Sequence, residues 1–358
     1  MKIASILGAR PQFVKAAMLS KEWAKLPEIE ECIIHTGQHF DKNMSQVFFE
    51  EMNIPKPQYN LDINSQSHAE MTGNMMMAIE KVLLKEKPDW VVVFGDTNST
   101  LAGALVAKKL GIKIAHIEAG LRSYNNAMPE EINRIIVDRI SDLLFCPSQG
   151  AMENLKEEGQ EFGKSHSVLS GDIMFDALLN FKDLAIQNSS LKLGLENKAF
   201  ALATIHREGN TKDWENLKEI IEALEEINKN LRIVLVAHPR TKRMLQENNW
   251  QSSLILIEAQ SYFSMLSLMS DSDLIITDSG GLQKEAYWMK KPCLIIREET
   301  EWMELVENGN NLIAGTSRNG ILEAYLEIKD RKLNFEKPFF GNGTTAKCIV
   351  EEILKFSM

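Results

Sequence analysis

Short apolar runs recur along this chain, and most are followed by a stretch whose apolar residues return at helical spacing. Lys2–Leu7, Cys32–Thr36, Val91–Phe94, Ile114–Ile117 and Leu143–Cys146 read as strands. They are nearly continuous runs, as expected for strands covered on both faces. Phe13–Trp23, His68–Lys85 and Ala102–Leu110 read as helices between them, and Ser148–Gly163 as a helix and loop. The alternation restarts at Phe200–Thr204 and continues through helix Trp214–Asn228, strands Ile233–Ala237, Leu254–Ile257 and Leu274–Thr277, and helix Gln283–Trp288. Gly159–Lys164 and Asn188–Asn197 are polar and read as surface loops, and Thr344–Lys355 reads as a closing helix. Strands alternating with helices predict an α/β protein with parallel sheets, in which ligands gather beyond the carboxyl ends of the strands.

The strand ends carry the chemistry. Leu274–Thr277 runs through Asp278-Ser279-Gly280-Gly281 into a helix, which places free backbone N–H groups and a positive dipole end together. Such a turn either binds phosphate or is an ordinary βα connection; Ser279 adds a hydroxyl, and the glycines let an anion approach. Glu285 in the following helix is a candidate acceptor for ribose hydroxyls. After the first strand, Arg10 and Lys15 bring two cations to a Gly-containing turn. Asp96, Glu118 and Glu130 fall at strand or loop ends of the first half, where carboxylates act as caps or, when they converge, as acids and bases. His206, His238 and Arg240 end strands of the second half.

Composition narrows the classes. The 358 residues are 44% hydrophobic, enough for about two cores. A formal charge of −10 with no basic stripe argues against a nucleic-acid surface. No apolar run reaches the roughly 18 residues needed to span a membrane, and no signal peptide is read at Met1. Cys32, Cys146, Cys293 and Cys348 lack metal-site or CxxC spacing and read as reduced thiols of a cytoplasmic protein.

Several motifs in order resemble the nucleotide-sugar 2-epimerase family typified by the non-hydrolysing UDP-N-acetylglucosamine 2-epimerases. They are G-A-R-P-Q-F-V-K from Gly8, G-D-T-N-S-T from Gly95, H-I-E-A-G-L-R-S from His116, M-P-E-E-I-N-R from Met128, His206-Arg207, D-S-G-G-L-Q-K-E-A from Asp278, and Thr300-Glu301-Trp302. The resemblance implies a glycosyltransferase-B type fold of two Rossmann-like domains with the active site in the interdomain cleft. It places an N-terminal domain at 1–170, the helix 344–358 packing back on it, and a UDP-binding domain at 171–343. Asp96, Glu118, Glu130 and His206 are then the catalytic set. Arg10, Lys15, Gln260, Ser279, Gly280, Gly281, Glu285 and Trp302 are the substrate-binding set, with Tyr262 beside Gln260 near the uracil.

The implied reaction inverts C2 of a UDP-2-acetamido sugar by anti elimination of UDP and re-addition, for surface polysaccharide precursors. It uses no metal, no nicotinamide and no other cofactor, and the expected partners are the UDP-sugar and a second copy of the chain, with no nucleic acid and no membrane. The rivals are a hydrolysing 2-epimerase that releases UDP and free 2-acetamidomannose, a glycosyltransferase of the same fold, and a non-catalytic UDP-sugar binder.

The chain departs from the family pattern in places. Gln12 stands where many members have Glu, and Gly209 follows Glu208 where the pattern is H-R-x-E. Gln38-His39 matches a pair that holds an activating UDP-sugar in some members, but Asp41 follows, so activation is not implied here. Trp302 replaces the Arg of T-E-R-P-E and, with Gln12 and Phe13, points to the UDP-2,3-diacetamido-2,3-dideoxyglucuronate branch.

Overall fold

The computed structural model describes every residue except 39–50, 53, 65, 160–164, 188–194, 196–197 and 358. The expectations for His39, Asp41 and most of the two polar loops, together with the Glu208 side chain, lie outside the described residues. The chain divides into two compact units, Met1–Asn180 with Pro338–Met358, and Phe181–Lys337.

The first division falls after 180 rather than 170, and the second after 337 rather than 343. Local bonding explains the difference. The Asp172 N–H donates to the Phe340 carbonyl at 2.9 Å, and Asp176 Oδ2 accepts from the Ala346 N–H at 2.8 Å. These bonds tie the start of helix Ile173–Gln187 to the closing helix Thr345–Lys355, so both belong with the first unit.

The first unit holds β1 (Lys2–Leu7), β2 (Glu30–His35), β3 (Tyr59–Asn60), β4 (Trp90–Phe94), β5 (Lys113–Ile117), β6 (Leu143–Cys146) and β7 (His166–Leu169). They form a parallel sheet in the order β3-β2-β1-β4-β5-β6-β7. The second unit holds β8 (Phe200–Ile205), β9 (Arg232–Ala237), β10 (Ile255–Ile257), β11 (Leu274–Thr277), β12 (Cys293–Ile295) and β13 (Asn311–Ile313). Its sheet is also parallel, in the order β10-β9-β8-β11-β12-β13.

Burial on both faces accounts for the continuous apolar runs. Along β8, Ala201, Ala203 and Ile205 pack with Ile220 and Leu224 of helix Trp214–Asn228. Phe200 and Leu202 point the other way, toward Met269 and Ala286. Each fully buried Leu or Ile contributes about 1.5–3 kcal/mol relative to an exposed one, so neither sheet face can shift register by one residue without large loss.

In both sheets the strand order reverses at one place, between β1 and β4 and between β8 and β11. The loops leaving such a pair of strands diverge and leave a crevice at their carboxyl ends, where doubly wound sheets bind ligands. The loops at these two points are the Gly8 and Gly95 turns in one unit, and the His206 and Asp278 turns in the other. Among the described residues no helix is long and apolar enough to cross a membrane. Cys32, Cys146 and Cys293 are buried free thiols, and burial pushes the Cys32 thiol up to about 11.

Candidate active site

In the first unit the residues at the β1/β4 crevice converge. Helix Arg10–Trp23 follows β1 at once, with Pro11 in its first turn, where its fixed φ suits a helix start. Lys15, one turn further on, is buried, and its Nζ pairs with Glu118 Oε2. Glu118 follows β5 and sits in the left-handed region at φ 69°, uncommon for a residue with a Cβ. Gly95 makes room for this pair: a Cβ there would stand 3.2 Å from Glu118 Oε2 and 3.8 Å from Lys15 Nζ. Asp96 follows, and its carboxylate receives Arg134 Nη2. Its carbonyl accepts from Asn133 Nδ2 at 2.8 Å.

Gln12 and Gln38 tie the neighbouring turns together. Gln12 Oε1 accepts the Gly8 and Ala9 N–H groups at 2.7 and 2.9 Å, while its Nε2 donates to the Phe94 carbonyl at 2.7 Å. Gln38 Oε1 accepts from Ser99 Oγ at 2.7 Å and from the Ser99 N–H at 3.1 Å. Gln12 is therefore a buried bridge between the β1 and β4 turns, and Phe13 beside it packs on His35 with ring centroids 5.1 Å apart. Glu130 is exposed in the first turn of helix Pro129–Ile140, one turn before Asn133 and Arg134, which hold Asp96. The buried carboxylate beside Glu130 is Glu131, which accepts from the Ser123 and Tyr124 N–H groups at 2.9 and 3.0 Å and so fixes the loop before the helix.

In the second unit the β8 and β11 turns meet through Asp278. Its fully buried carboxylate accepts the His206 and Arg207 N–H groups, each at 2.9 Å, Asn210 Nδ2 at 3.1 Å, and His206 Nδ1 at 2.8 Å. Burial pushes the Asp278 carboxyl up, but the charge and hydrogen bond of His206 and the two backbone donors outweigh it and hold the group below the usual range. The His206 Nδ1 bond to Asp278 fixes the ring and leaves Nε2 for other partners; the side chain is 44% exposed. His238 caps helix Pro239–Glu247, accepting from the Arg240 N–H at 3.3 Å, and burial, with the charges of His206 and Arg240, pushes its pKa down.

The helix expected from Gln283 starts earlier, at Gly280, because Ser279 is its N-cap and accepts from the Leu282 N–H. Gly280 and Gly281 thereby form the first turn, where N–H groups have no intrahelical acceptor. Behind this turn lies Trp302, 3% exposed, with Lys284 Nζ 3.8 Å from its ring centroid. A Cβ on Gly280 would stand 3.3 Å from Trp302 Nε1. The indole thus packs under the glycine turn, with Lys284 over its ring. Glu285 is buried in the same helix. Gln260 is half-buried, and its Nε2 donates to the Glu258 carbonyl at 2.8 Å, a bond local to its own loop.

Arg297 and Glu301 form a buried bidentate pair at 3.0 and 3.1 Å, to which Arg207 adds a contact at 3.4 Å. Asp278, Asn210, Arg297 and Glu301 are site residues that their sequence pattern did not single out. Asp278 was legible: a carboxylate directly before a Ser-Gly-Gly turn ends a buried strand and must find donors.

The depressed Asp278 carboxyl makes a prediction about stability. Its folded pKa lies below its unfolded one, so its contribution is complete above the unfolded value, about 3.9, and is lost as pH falls through the folded value. The urea midpoint of wild type should exceed that of Asp278→Asn at pH 7, and the gap should shrink below about pH 4. A gap independent of pH would show that the carboxylate charge contributes nothing to folding.

The model of the family described as UDP-N-acetylglucosamine 2-epimerase matches residues 21–354. The chain belongs to that family. It is 47% identical to the UDP-2,3-diacetamido-2,3-dideoxy-D-glucuronate 2-epimerase of Pseudomonas aeruginosa, over 99% of this chain and 100% of that one. It is 43% identical to the UDP-N-acetylglucosamine 2-epimerase of Methanocaldococcus jannaschii, over 98% of each chain. A crystal structure of the M. jannaschii UDP-GlcNAc 2-epimerase in complex with UDP-GlcNAc and UDP matches with a TM-score of 0.92, covering 99% of this chain and 100% of that one. The two parallel sheets are those of the glycosyltransferase-B type fold shared by these family members.

Proposed function

We propose that this protein is a non-hydrolysing 2-epimerase that inverts C2 of a UDP-2-acetamido sugar, with UDP-2,3-diacetamido-2,3-dideoxyglucuronate as the favoured substrate and UDP-GlcNAc as the other member of the class. The observation that carries the reading is the Lys15–Glu118 pair lodged against Gly95, next to Asp96, at the strand-order reversal of the first sheet. The identity to the Pseudomonas enzyme supports the glucuronate member.

A C2 proton in such a sugar is remote from any carbonyl, so a stabilised carbanion is out of reach. Elimination avoids it. A carboxylate takes the C2 proton, the C1–O bond breaks, and its electron pair leaves on the β-phosphate oxygen of UDP as C1=C2 forms. Re-addition of that oxygen to C1, with proton delivery to the opposite face of C2, yields the epimer. Two proton-transfer groups are needed, and Asp96, Glu118 and Glu130 are the candidates.

Lys15 pairs with Glu118 and orients it. In the second unit, His206 and the Ser279–Gly281 turn supply donors for the charge that develops on departing UDP, with Arg10 of the first unit as a further cation. No step in this scheme changes an oxidation state overall.

The buried free thiols suit a reducing compartment, and the proposal places the protein in the cytoplasm, supplying surface polysaccharide synthesis. It also makes the protein a homodimer. Met77 and Leu84, 59% and 56% exposed on helix His68–Glu86, are apolar surface that pairing would cover. Light scattering should give twice the chain mass, and a monomer at assay concentration would remove that part.

The substrate is tested by following the anomeric and phosphorus NMR signals of UDP-GlcNAc and of UDP-2,3-diacetamido-2,3-dideoxyglucuronate with the enzyme. The expected result is a gluco/manno mixture still attached to UDP, formed faster from the glucuronate. Free sugar with stoichiometric UDP would contradict the non-hydrolysing reading. Turnover of UDP-GlcNAc alone would move the substrate to the other member.

A further inference from the structure

We infer that His116, anchored by Asp138, is the positioning residue that sets Asp96 and Glu118 in place. The inference rests on the reading of those two carboxylates as acid–base groups. His116 lies in β5 and is fully buried. Its Nδ1 is 2.8 Å from Asp138 Oδ1 and its Nε2 is 2.7 Å from the Gly95 carbonyl. Nε2 faces a carbonyl, which only accepts, and Nδ1 pairs with the Asp138 carboxylate, so the ring ties β5 to helix Pro129–Ile140 on one side and to the turn after β4 on the other.

That turn is gripped at successive peptides. The Gly95 carbonyl takes the His116 bond, the Asp96 carbonyl takes Asn133 Nδ2 at 2.8 Å, and the Asp96 carboxylate takes Arg134 Nη2.

Glu118 is bracketed by the same carboxylate. Asp138 Oδ1 holds His116, two residues before Glu118, and Asp138 Oδ2 accepts the Gly120 N–H, two residues after it, at 3.1 Å. The Glu118 and Ala119 N–H groups both donate to the Phe145 carbonyl, at 3.1 and 3.0 Å. A left-handed residue with a Cβ is strained and persists only where its surroundings over-determine it. Here they do.

Arg122 completes the cluster: Nη1 donates to Asp138 Oδ2 at 2.8 Å, and Nη2 reaches outward to Glu158 Oε2 at 2.8 Å. Buried ionic clusters are a poor source of net stability compared with apolar packing, whereas they fix geometry well. A misplacement of about 1 Å at reacting groups can reduce turnover roughly a hundredfold.

The test compares Asp138→Asn and His116→Gln with Glu158→Gln, which weakens the outer ion pairs of Arg122 and Arg139 and leaves Asp138 and His116 untouched. For each, kcat, KM, the Kd for UDP and the melting temperature are measured on folded protein. Asp138→Asn and His116→Gln should lower kcat at least tenfold, with KM and the UDP Kd within about twofold of wild type. Glu158→Gln should lower the melting temperature while kcat stays near wild type. If Asp138→Asn does not fold, His116→Gln carries the comparison, because its amide satisfies one buried partner without bridging Asp138 to the Gly95 carbonyl.

Folded Asp138→Asn or His116→Gln with wild-type kcat, or kcat losses that track melting temperature in all three variants, would overturn the inference. Asp96→Asn and Glu118→Gln separate the two levels. If they lose C2 exchange while Asp138→Asn and His116→Gln keep it, the positioning role alone fails. If they retain exchange, the acid–base assignment fails and the positioning role with it.

Discussion

Glu118→Gln should lower kcat for C2 proton exchange by about a hundred- to ten-thousand-fold, the range a positioned acid–base group supplies. The amide is nearly isosteric, so the Lys15 contact and the left-handed turn can survive while the proton-transfer function is lost. UDP affinity should stay within about threefold of wild type, because the proposed diphosphate donors at Ser279–Gly281 belong to the other unit. Asp96→Asn should behave similarly but lose some stability as well, since the charge facing Arg134 disappears and leaves that guanidinium with a weaker partner. Steady-state kinetics and calorimetry with UDP check both. A Glu118→Gln enzyme with wild-type kcat would remove this carboxylate from the chemistry.

Gly120→Ala should be the most damaging single methyl in the first unit. At φ 80° an L-side chain is strained, and the new Cβ would lie 2.3 Å from the Ala151 carbonyl oxygen, a backbone atom that cannot rotate away. Left-handed strain of about 1–2 kcal/mol and overpacking of about 1–3 kcal/mol add to a loss of about 2–5 kcal/mol. The same substitution at Gly73 has the opposite sign. That residue sits inside helix His68–Glu86, and a methyl group added to it would meet nothing within 4 Å, so alanine gains about 0.5–1 kcal/mol of helix propensity. Thermal unfolding should place the two variants on opposite sides of wild type. Equal melting temperatures would mean that the Gly120 turn is not constrained as described.

The parallel two-sheet architecture was legible because its strands are covered on both faces. Val91–Phe94 and Leu274–Thr277 are short, uninterrupted apolar runs with polar residues at their ends, and little else produces that pattern. The two edge strands of the first sheet were not legible. Residues of β7 are half-exposed, with His166 and Ser167 among them, and β3 has only Tyr59 and Asn60. Their pairing depends on a neighbouring strand that no local window contains.

The site shows the same division. Glu118 and Ser279 stood out as candidates because a charged or hydroxyl residue at the end of a strand has few places to go, and Lys15 because it lies early in the helix that follows β1. Asp138 could not, since it lies near the end of an amphipathic helix like any solvated acid. Its importance comes from His116, which is brought to it by sheet packing from 22 residues away. His116 did leave a trace, as a polar residue inside the strand Lys113–Ile117, where a buried imidazole requires partners. Trp302 stood out as the replacement of an Arg in the family motif, but its packing against Lys284 of the helix that starts at Gly280 is tertiary and left no trace in the sequence.

The central claim is that a proton leaves and returns at C2 while the sugar stays in the UDP form. The most direct test is an NMR time course of the wild-type enzyme in D2O with UDP-2,3-diacetamido-2,3-dideoxyglucuronate, and with UDP-GlcNAc in parallel. The account predicts deuterium at C2 in both gluco and manno forms of at least one of these nucleotide sugars, with no free sugar accumulating. Epimer formed without deuterium, or no exchange with either sugar, would contradict it.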